Sequence, residues 1–374
     1  MKHKVAIVYP YFAHYREPII NELLKDKEIE YFFLSGDTLP KSVSSLKLAE
    51  INSQSRNKKL RNIWIFKYFL IQFDLIKFIR KNNINTLIFL ADWKYISYWF
   101  YIFYCKLTHR KCFFWSHGLL NNKKTLNNRI KFLFHSLFDG GLIYSERSKK
   151  IMENWGFKKR LLVVNNSLNY EEQNNLFLNC SESSVNETSF LPFDIPYIIF
   201  TGRLIKERKL ELLFKALVYL KENNTLVNLL ILGTGPHEFF LKEQIEKLNL
   251  QNQVLMGGAC YDEKILCKYF VNAEMCVFPG PIGLTIIHSM TYGTPVITNN
   301  NLDKQKPEVE ALIDGYNGYL FNEDDSLDLA IKISKILNLS PIEKKKFEMN
   351  CLNSIKNNYT PKFQSRVIHS LVKS

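Results

Sequence analysis

Short apolar runs alternate with segments of helical spacing along the first half of the chain. One such segment is 15–25, which follows the first apolar run. Buried runs separated by helices are typical of the strands of a parallel sheet. The pattern predicts strands over residues 5–9, 29–34, 86–89, 112–115, 141–144 and 161–164.

The same alternation begins again in the second half. Glycine-rich turns follow several of its apolar runs, and the carboxyl ends of parallel strands are where open α/β sheets bind ligands. The pattern predicts strands over 197–200, 227–232, 254–256, 275–278 and 295–298, and helices over 210–221, 237–248, 264–272 and 285–292.

Two α/β domains follow from this repetition. A polar stretch over 174–187, rich in Asn, Ser and Glu, is interpreted as a linker between a first domain, 1–185, and a second, 190–355. Residues 356–374 carry apolar positions at helical spacing and are predicted to pack back on the first domain. We therefore expect two Rossmann-like domains whose parallel sheets face each other across a cleft.

Composition excludes several classes of protein. The 46% of hydrophobic residues favours sizeable cores, and the seven cysteines form no C-x-x-C pair, so neither a metal site nor a disulfide framework is expected. The run 5–9 is too short for a signal peptide. Pro and Gly interrupt the longest uncharged stretch, 275–302, so we expect no membrane-spanning helix and a cytoplasmic protein.

The positive charge is confined to one half. Residues 1–185 hold 29 Lys and Arg against 15 Asp and Glu, whereas 186–374 hold 21 of each. This asymmetry indicates an anionic partner: a membrane surface, a lipid-phosphate acceptor or nucleic acid. A lysine-rich composition without a partner is the alternative. No nucleic-acid-binding signature is present, so nucleic acid is not expected.

Two basic residues follow a predicted strand at the start of the second domain. Arg203 and Arg208 stand after Gly202, which lets the backbone approach a ligand closely. Guanidinium groups bind phosphate oxygens as a fork and stay charged. The motif predicts a phosphate site, with a solvated helix start as the plainer interpretation.

A glycine-rich loop opens the helix predicted over 285–292. Its free backbone N–H groups suit a phosphate, and His288 lies about one turn into that helix. A weaker glycine turn, Gly233 and Gly235, either contacts the same ligand or is only a tight turn. The loop and helix start contribute Gly280, Pro281, Ile282, Gly283, Leu284 and Thr285 as candidate ligand contacts.

These motifs together resemble those of family 4 of the retaining glycosyltransferases, which have the GT-B fold, in their bacterial surface-polysaccharide type. The family carries G-R-L-x-x-x-K, G-x-G-P and E-G-F-G-L-x-x-x-E-A-M-A-x-G-x-P-V-I. The corresponding segments here begin at Gly202, Gly233 and Gly280, and the similarity covers roughly residues 195–325.

The resemblance implies a role for each motif. Arg203 and Arg208 would bind the diphosphate of a nucleotide-sugar donor, and the backbone of 282–284 would meet sugar hydroxyls and phosphate. Arg208 stands where the family has lysine, so Lys209 beside it is an alternative.

Gly280 and His288 stand where the family has two glutamates, of which the first contacts the donor sugar and the second the ribose. His288 could still bind a ribose hydroxyl, but Gly280 cannot replace a carboxylate. Glu308 and Glu310 are candidate substitutes for the sugar contact, with a solvated acidic turn as the alternative.

The first domain would then bind the acceptor. His14, Tyr15 and Arg16 follow the first strand and are placed to meet a polar or phosphorylated acceptor. His117 resembles a family histidine near the donor sugar and is a catalytic candidate beside the two arginines. The aromatic segment 95–105, flanked by lysines, suits either a core helix or a membrane interface.

The resemblance thus implies a retaining transferase that moves a sugar from a nucleotide-diphosphate donor, and we expect the acceptor to be a glycan or a lipid-diphosphate-linked oligosaccharide. No D-x-D motif occurs, so neither a metal nor another cofactor is expected. An anionic inner membrane face is a candidate docking surface. The alternatives are another GT-B enzyme, such as a nucleotide-sugar epimerase or a phosphorylase, and a catalytically silent nucleotide-sugar or glycan-binding protein.

Overall fold

The chain divides into two compact units. One comprises Met1–Leu168 together with Pro361–Ser374, and the other comprises Asn169–Thr360. The first boundary therefore lies earlier than the predicted position at 185. The computed structural model describes residues 2–36, 38–40, 47–51, 53–66, 68–182 and 196–373.

A parallel sheet forms the centre of the first unit. The strands described there are β1 (His3–Tyr9), β2 (Ile29–Ser35), β3 (Asn57–Lys59), β4 (Asn62–Ile65), β5 (Phe69–Gln72), β6 (Thr86–Leu90), β7 (Lys111–Ser116), β8 (Gly140–Ile143) and β9 (Arg160–Val163). Seven of them form the order β3-β2-β1-β6-β7-β8-β9, with every pair parallel. Strands β4 and β5 pair antiparallel to each other.

Helices cover both faces of this sheet. They are α1 (Glu17–Leu24), α2 (Leu75–Asn82), α3 (Ile96–Leu107), α4 (Leu126–Ser136), α5 (Glu146–Asn154) and α13 (Pro361–Lys373). Successive side chains of a strand point to opposite faces. Val5 and Ile7 accordingly share a core with α1 and α13, whereas Ala6 and Val8 share one with α2, α3 and α4.

Helix α3 is the aromatic segment for which two interpretations were open. Tyr98, Ile102 and Cys105 on one side are buried in the core. Phe100 and Phe103 on another side are 61% and 60% exposed. The core-helix interpretation is confirmed for the first side, and the second leaves an apolar surface.

A second parallel sheet organises the other unit. Its strands are β10 (Tyr197–Thr201), β11 (Asn228–Leu232), β12 (Val254–Gly258), β13 (Met275–Phe278), β14 (Val296–Asn299) and β15 (Gly318–Phe321). Their order is β12-β11-β10-β13-β14-β15, again with parallel pairs throughout. In both units, each predicted strand is present with bounds shifted by about two residues at most.

The helices of the second unit include three that the sequence analysis did not predict, namely the first and the last two of those given next. They are α6 (Tyr170–Glu182), α7 (Leu210–Glu222), α8 (Glu238–Lys247), α9 (Glu263–Asn272), α10 (Thr285–Thr291), α11 (Ser326–Leu337) and α12 (Pro341–Asn358). The linker prediction is wrong for 174–182, because α6 packs against α9 and buries Phe177. The remainder of that stretch, 183–187, lies outside the described residues.

Helix α13 returns the chain to the first unit. It contacts α1 and β9 and buries Ile368, Leu371 and Val372 in the same core as Val5 and Ile7. The predicted return segment began at 356, but residues 356–358 are the last turn of α12.

Candidate functional site

The second unit places two loops at the point where its strand order reverses. Strands β10 and β13 are neighbours, and the chain proceeds to β11 and β12 on one side and to β14 and β15 on the other. Open parallel sheets bind ligands in the crevice at such a point. The loops that leave these strands are 202–209, here the Arg208 loop, and 279–285, here the Pro281 loop.

Arg208 joins the two loops. Its Nη1 donates a hydrogen bond of 2.5 Å to the carbonyl oxygen of Pro281, and its guanidinium carbon lies 5.0 Å from the ring centroid of Phe278. The Gly280 N–H donates in return to the Arg208 carbonyl at 3.0 Å. The Arg208 Nε is buried and has no hydrogen-bond partner. Burial lowers the pKa of Arg208, and the Glu207 carboxylate opposes that shift.

Two other cations of the Arg208 loop differ from Arg208 in their contacts. Arg203 is exposed, and within the described residues its side chain makes no hydrogen bond or ion pair. Lys209 contacts Glu323 at 3.1 Å and Asp324 at 2.6 Å. Because two carboxylates already hold Lys209, Arg208 is the better placed of the two alternatives for an anion.

Glycine at position 280 is a steric requirement. A Cβ there would lie 2.1 Å from the carbonyl oxygen of Glu207 and 2.7 Å from the Arg208 Cα. No side chain fits between the two loops, so the carboxylate that the resemblance leads one to expect is excluded at this position.

The Gly233 turn is also tightly packed. A Cβ on Gly233 would lie 1.9 Å from the Gly202 carbonyl oxygen, and one on Gly235 would lie 2.2 Å from that of Leu204. Gly202 itself has a φ of +153°, which L side chains rarely adopt. Loop-to-loop packing therefore accounts for these glycines, and a ligand contact from them stays a prediction.

The Pro281 loop offers some, but not all, of the predicted donors. The Ile282 N–H already donates to Gln305 Oε1 at 2.8 Å. In the described part of the chain the N–H groups of Gly283 and Leu284 have no acceptor. Thr285 directs its hydroxyl to the Thr201 carbonyl at 3.4 Å. Helix α10 has only seven residues, so the two N–H groups of Gly283 and Leu284, rather than the start of the helix, are the feature that suits an anion.

His288 has a protein partner. Its Nε2 lies 2.6 Å from Glu263 Oε1, which also accepts from Tyr292 at 2.5 Å and Gln173 at 2.9 Å. Burial alone would raise the pKa of Glu263, but these hydrogen bonds, that of His288 foremost, lower it to about 2. A donor contact from the His288 ring would therefore have to use Nδ1.

Glu308 and Glu310 lie in a short 3-10 turn, Pro307–Ala311. Glu308 is only 6% exposed, so a solvated acidic turn does not describe it. Both carboxylates lie near Tyr359, whose pKa is raised by burial first and then by their charges. A sugar contact from either one stays a prediction.

The first unit contains a cavity of about 270 Å³ at the carboxyl edge of its sheet. It lies where the order reverses between β1 and β6, the same topological position as the loops of the second unit. We call it the first-unit cavity. Its wall comes from loops after β1, β6, β7 and β8 and from α4: Tyr9, Tyr11, Ala13, Tyr15, Arg16, Leu90, Ala91, Asp92, Trp93, Tyr95, Ser116, His117, Gly118, Lys131, His135 and Tyr144.

Three of the four residues predicted for the first unit line this cavity: Tyr15, Arg16 and His117. His14 does not, since it is exposed on the neighbouring 3-10 turn. The His117 ring lies 4.7 Å from that of Tyr144. Arg16 is 8% exposed and donates to Tyr144 Oη and to Asn166 Oδ1, the latter at 3.3 Å.

His135 supports the turn that carries His117. Its Nδ1 lies 2.6 Å from the Lys131 carbonyl, and its Nε2 lies 2.7 Å from Ser116 Oγ. Ser116 Oγ in turn accepts from the Gly118 N–H at 3.0 Å. Burial lowers the pKa of His135 to about 4, so the ring is neutral near pH 7.

Sequence reasoning missed His135 and Asp92. Neither lies in a recognisable motif, because His135 is one polar residue on α4 and Asp92 one acid after β6. Only the convergence of strand ends in the folded sheet brings them to the cavity. The weak available signal was the position of Asp92 directly after a predicted strand.

The described residues contain neither a cluster of metal ligands nor a membrane-spanning helix. No group of three or more His, Cys, Asp and Glu side chains there is arranged to hold a metal ion. No described helix is both long and apolar enough to cross a membrane.

Comparison with known proteins relates this arrangement to glycosyltransferases. Residues 187–351 match the family described as Glycosyl transferases group 1. A glycogen synthase of Cellvibrio japonicus (strain Ueda107) is 28% identical over 176 residues, which are 43% of this chain and 34% of that protein. The chain thus spans about a third of the length of this curated relative.

Solved structures match over the whole chain. Sucrose-phosphate synthase from Thermosynechococcus elongatus has a TM-score of 0.70 at 16% identity, and the superposition covers 100% of this chain and 98% of the synthase chain. Anabaena Alr3699/HepE in complex with UDP has a TM-score of 0.63 at 15% identity, with 100% of both chains covered. The fold is GT-B.

Within this GT-B fold, the family match covers only one of the two candidate regions. The matched residues include the Arg208 loop, the Pro281 loop and His288. The first-unit cavity lies entirely outside them. The match therefore concerns the second unit and does not extend to the cavity of the first unit.

Proposed function

We propose that this GT-B protein is a retaining glycosyltransferase of family 4 that takes its sugar from a nucleotide-diphosphate donor. The observation that carries the proposal is Arg208, a partly buried guanidinium with an unpartnered Nε at the strand-order reversal of the second unit. Support comes from the group 1 family match over the same residues and from the UDP complex of the HepE structure.

The donor diphosphate would bind between Arg203 and Arg208. Arg203 has no competing partner in the described chain, and Arg208 keeps N–H groups beyond the one given to Pro281. The N–H groups of Gly283 and Leu284 would add neutral donors on the other loop. Charge-assisted hydrogen bonds of this kind are the strong ones in phosphate recognition.

The reaction would proceed with retention at the anomeric carbon. The bond from that carbon to the leaving phosphate oxygen breaks, and a bond to the acceptor hydroxyl oxygen forms on the same face. The acceptor proton passes to the leaving diphosphate. Arg203 and Arg208 would stabilise the negative charge that grows on this group in the transition state.

No metal is needed in this scheme, because two guanidinium groups supply the positive charge that a divalent ion would otherwise provide. The proposal therefore includes donor binding that survives chelation. Equal affinity for the nucleotide with and without EDTA is the expected result.

Nucleotide binding is the direct test. A ligand that binds only the folded state raises its melting temperature, so UDP-, GDP-, CMP- and dTDP-linked sugars would be screened by thermal shift. We expect one nucleotide to stabilise the protein and Arg208→Ala to reduce the response without abolishing it. Lys206→Ala, an exposed cation of the same loop, is the matched control. A full response in Arg208→Ala would reject the phosphate assignment.

The acceptor would be a glycan or a lipid-diphosphate-linked oligosaccharide of surface-polysaccharide assembly. The first unit has 32 Lys and Arg against 12 Asp and Glu, a net charge of +20, whereas the second has 18 against 24, a net charge of −6. Together with the exposed Phe100 and Phe103, this charge suits the anionic inner face of a cell membrane.

Liposome sedimentation tests the membrane part separately. We expect the protein to bind vesicles with phosphatidylglycerol better than vesicles of phosphatidylcholine alone. The double variant Phe100→Ser/Phe103→Ser should bind less, whereas Phe239→Ser, at an even more exposed phenylalanine of the second unit, should bind as well as the unchanged protein. Equal binding to both vesicle types would leave a soluble glycan as the acceptor.

A further inference from the structure

Arg16 is a buried cation without a counter-charge. Its hydrogen bonds go to Tyr144 Oη and Asn166 Oδ1, both neutral, and its guanidinium carbon lies 5.2 Å from the ring centroid of Trp115. No described carboxylate lies within ion-pair distance of it. Burying an unpaired charge is costly, so proteins normally pair it.

The other charges of the first-unit cavity do not compensate Arg16. Asp92 is the single carboxylate in the wall, and Lys131 is the only other permanent cation. Both act on His135, where their effects on its pKa oppose each other. The groups that act on Arg16 are tyrosine hydroxyls, that of Tyr144 foremost after burial itself. One carboxylate, Asp92, stands against two permanent cations, Lys131 and Arg16, so the wall has a formal excess of one positive charge.

The rest of the wall suits a sugar ring. Tyr11, Tyr15, Trp93 and Tyr144 present aromatic surface, which packs well against the apolar face of a pyranose while leaving its hydroxyls to polar groups. At about 270 Å³ the cavity lies at the small end of the roughly 300–1,000 Å³ usual for small-ligand pockets. It would therefore take one residue of a glycan.

We propose that the first-unit cavity binds an acidic sugar residue of the acceptor, whose carboxylate or phosphate group pairs with Arg16. That this sugar belongs to an acceptor rests on the proposed function, whereas its negative charge is inferred from Arg16 alone. A guanidinium already fixed by Tyr144 and Asn166 loses little conformational freedom on binding, which favours a specific contact.

Tryptophan fluorescence can report on binding in this cavity separately from binding at the donor loops. All five tryptophans lie in the first unit, at positions 64, 93, 99, 115 and 155, and the second unit has none. Trp93 lines the cavity and Trp115 stacks near Arg16. The full chain would be titrated with methyl glucuronide, with glucose 6-phosphate and with neutral methyl glucoside.

We expect a saturable fluorescence change with at least one of the two anionic sugars, weakened by added salt, and none with the neutral glycoside. The arm that responds distinguishes a carboxylate from a phosphate. Arg16→Gln should raise the Kd at least about tenfold, as expected for the loss of a charge-assisted hydrogen bond. Arg129→Gln, an exposed arginine on α4, should leave the Kd unchanged.

Two further variants separate binding from a purely structural role. Tyr144→Phe removes one hydrogen-bond partner of Arg16 but keeps the cation, so anion binding should persist. Arg16→Lys keeps the charge without the fork and should bind with intermediate affinity. Equal affinity for the neutral glycoside, no response to either anion, or unchanged binding in a folded Arg16→Gln would each overturn the inference.

The outcome is distinguishable from that of the proposed function. If nucleotides bind in an Arg208-dependent manner but acidic sugars leave the fluorescence unchanged, this inference fails alone. If acidic sugars bind and no nucleotide does, the transferase proposal fails and an acidic-sugar site remains.

Discussion

Arg208 and Pro281 are 73 positions apart in sequence, yet one hydrogen bond from guanidinium to carbonyl joins their loops at the strand-order reversal of the second sheet. This bond uses one N–H group of Arg208 and orients the others. The side chain is thereby positioned before any ligand arrives, which is what effective stabilisation of a developing charge requires.

Replacing Arg208 should therefore impair turnover more than donor affinity. For Arg208→Ala we expect a fall of about 100- to 1,000-fold in kcat, because the negative charge on the diphosphate grows mainly in the transition state. Arg208→Lys should recover only part of it, since lysine lacks the planar fork. Release of the nucleotide product measures the rate, with Lys206→Ala as control. A change in KM alone would contradict this interpretation.

Gly280→Ala should destabilise the second unit. The added Cβ would lie 2.1 Å from the Glu207 carbonyl oxygen, and separating the two loops should cost about 1–3 kcal/mol. Gly283→Ala in the same loop is the matched control, since its Cβ would lie 3.9 Å from the nearest atom, the Lys306 Cγ. Urea unfolding followed by circular dichroism measures both. Equal stability of the two variants would show that the loops separate freely.

His135 should make the first unit sensitive to mild acid. Burial lowers its pKa to about 4 from an ordinary 6.5, so the unfolded chain takes up the proton more readily. The free energy of unfolding should fall as the pH drops from 6.5 toward 4, by up to about 3 kcal/mol. His135→Asn should flatten this dependence, and His109→Asn, at an exposed histidine, should not. Urea unfolding at several pH values, followed by tryptophan fluorescence, provides the measurement.

Glu263 should stabilise the second unit over a different pH range. Its pKa of about 2 lies below the ordinary 4.5, so its contribution is complete above pH 4.5 and is lost as the pH falls toward 2. At pH 7, Glu263→Gln should cost about 1–3 kcal/mol, because His288 and Tyr292 lose a charged acceptor. Exposed Glu243→Gln is the control. A loss of stability for Glu263→Gln that is as large at pH 3 as at pH 7 would rule out the linkage.

The strands were predictable because parallel sheets bury both faces of each strand. Runs such as 197–200 and 275–278 are continuously apolar, and their period and length leave few alternatives. Helix α6 was not predictable in the same way. Its Asn- and Glu-rich sequence is typical of a linker, and it is helical because Phe177 is buried where α6 packs on α9.

The chemistry of the loops was only partly predictable. Motif spacing identified Arg203 and Arg208, but it could not decide between Arg208 and Lys209, since the carboxylates that hold Lys209 lie more than 110 positions away. Nor could it show that His288 faces Glu263. Such pairings depend on how distant segments meet, and a single sequence carries no record of that.

Helix α13 has a consequence for the time course of synthesis. The first unit needs Ile368, Leu371 and Val372 to complete its core, but the ribosome makes the whole of Asn169–Thr360 before it reaches them. At about 5–20 residues per second, that interval is about 10–40 seconds. During this time the apolar surfaces of α1 and β9 that α13 later covers stay exposed, so the nascent first half is prone to aggregation until synthesis of the second unit is complete.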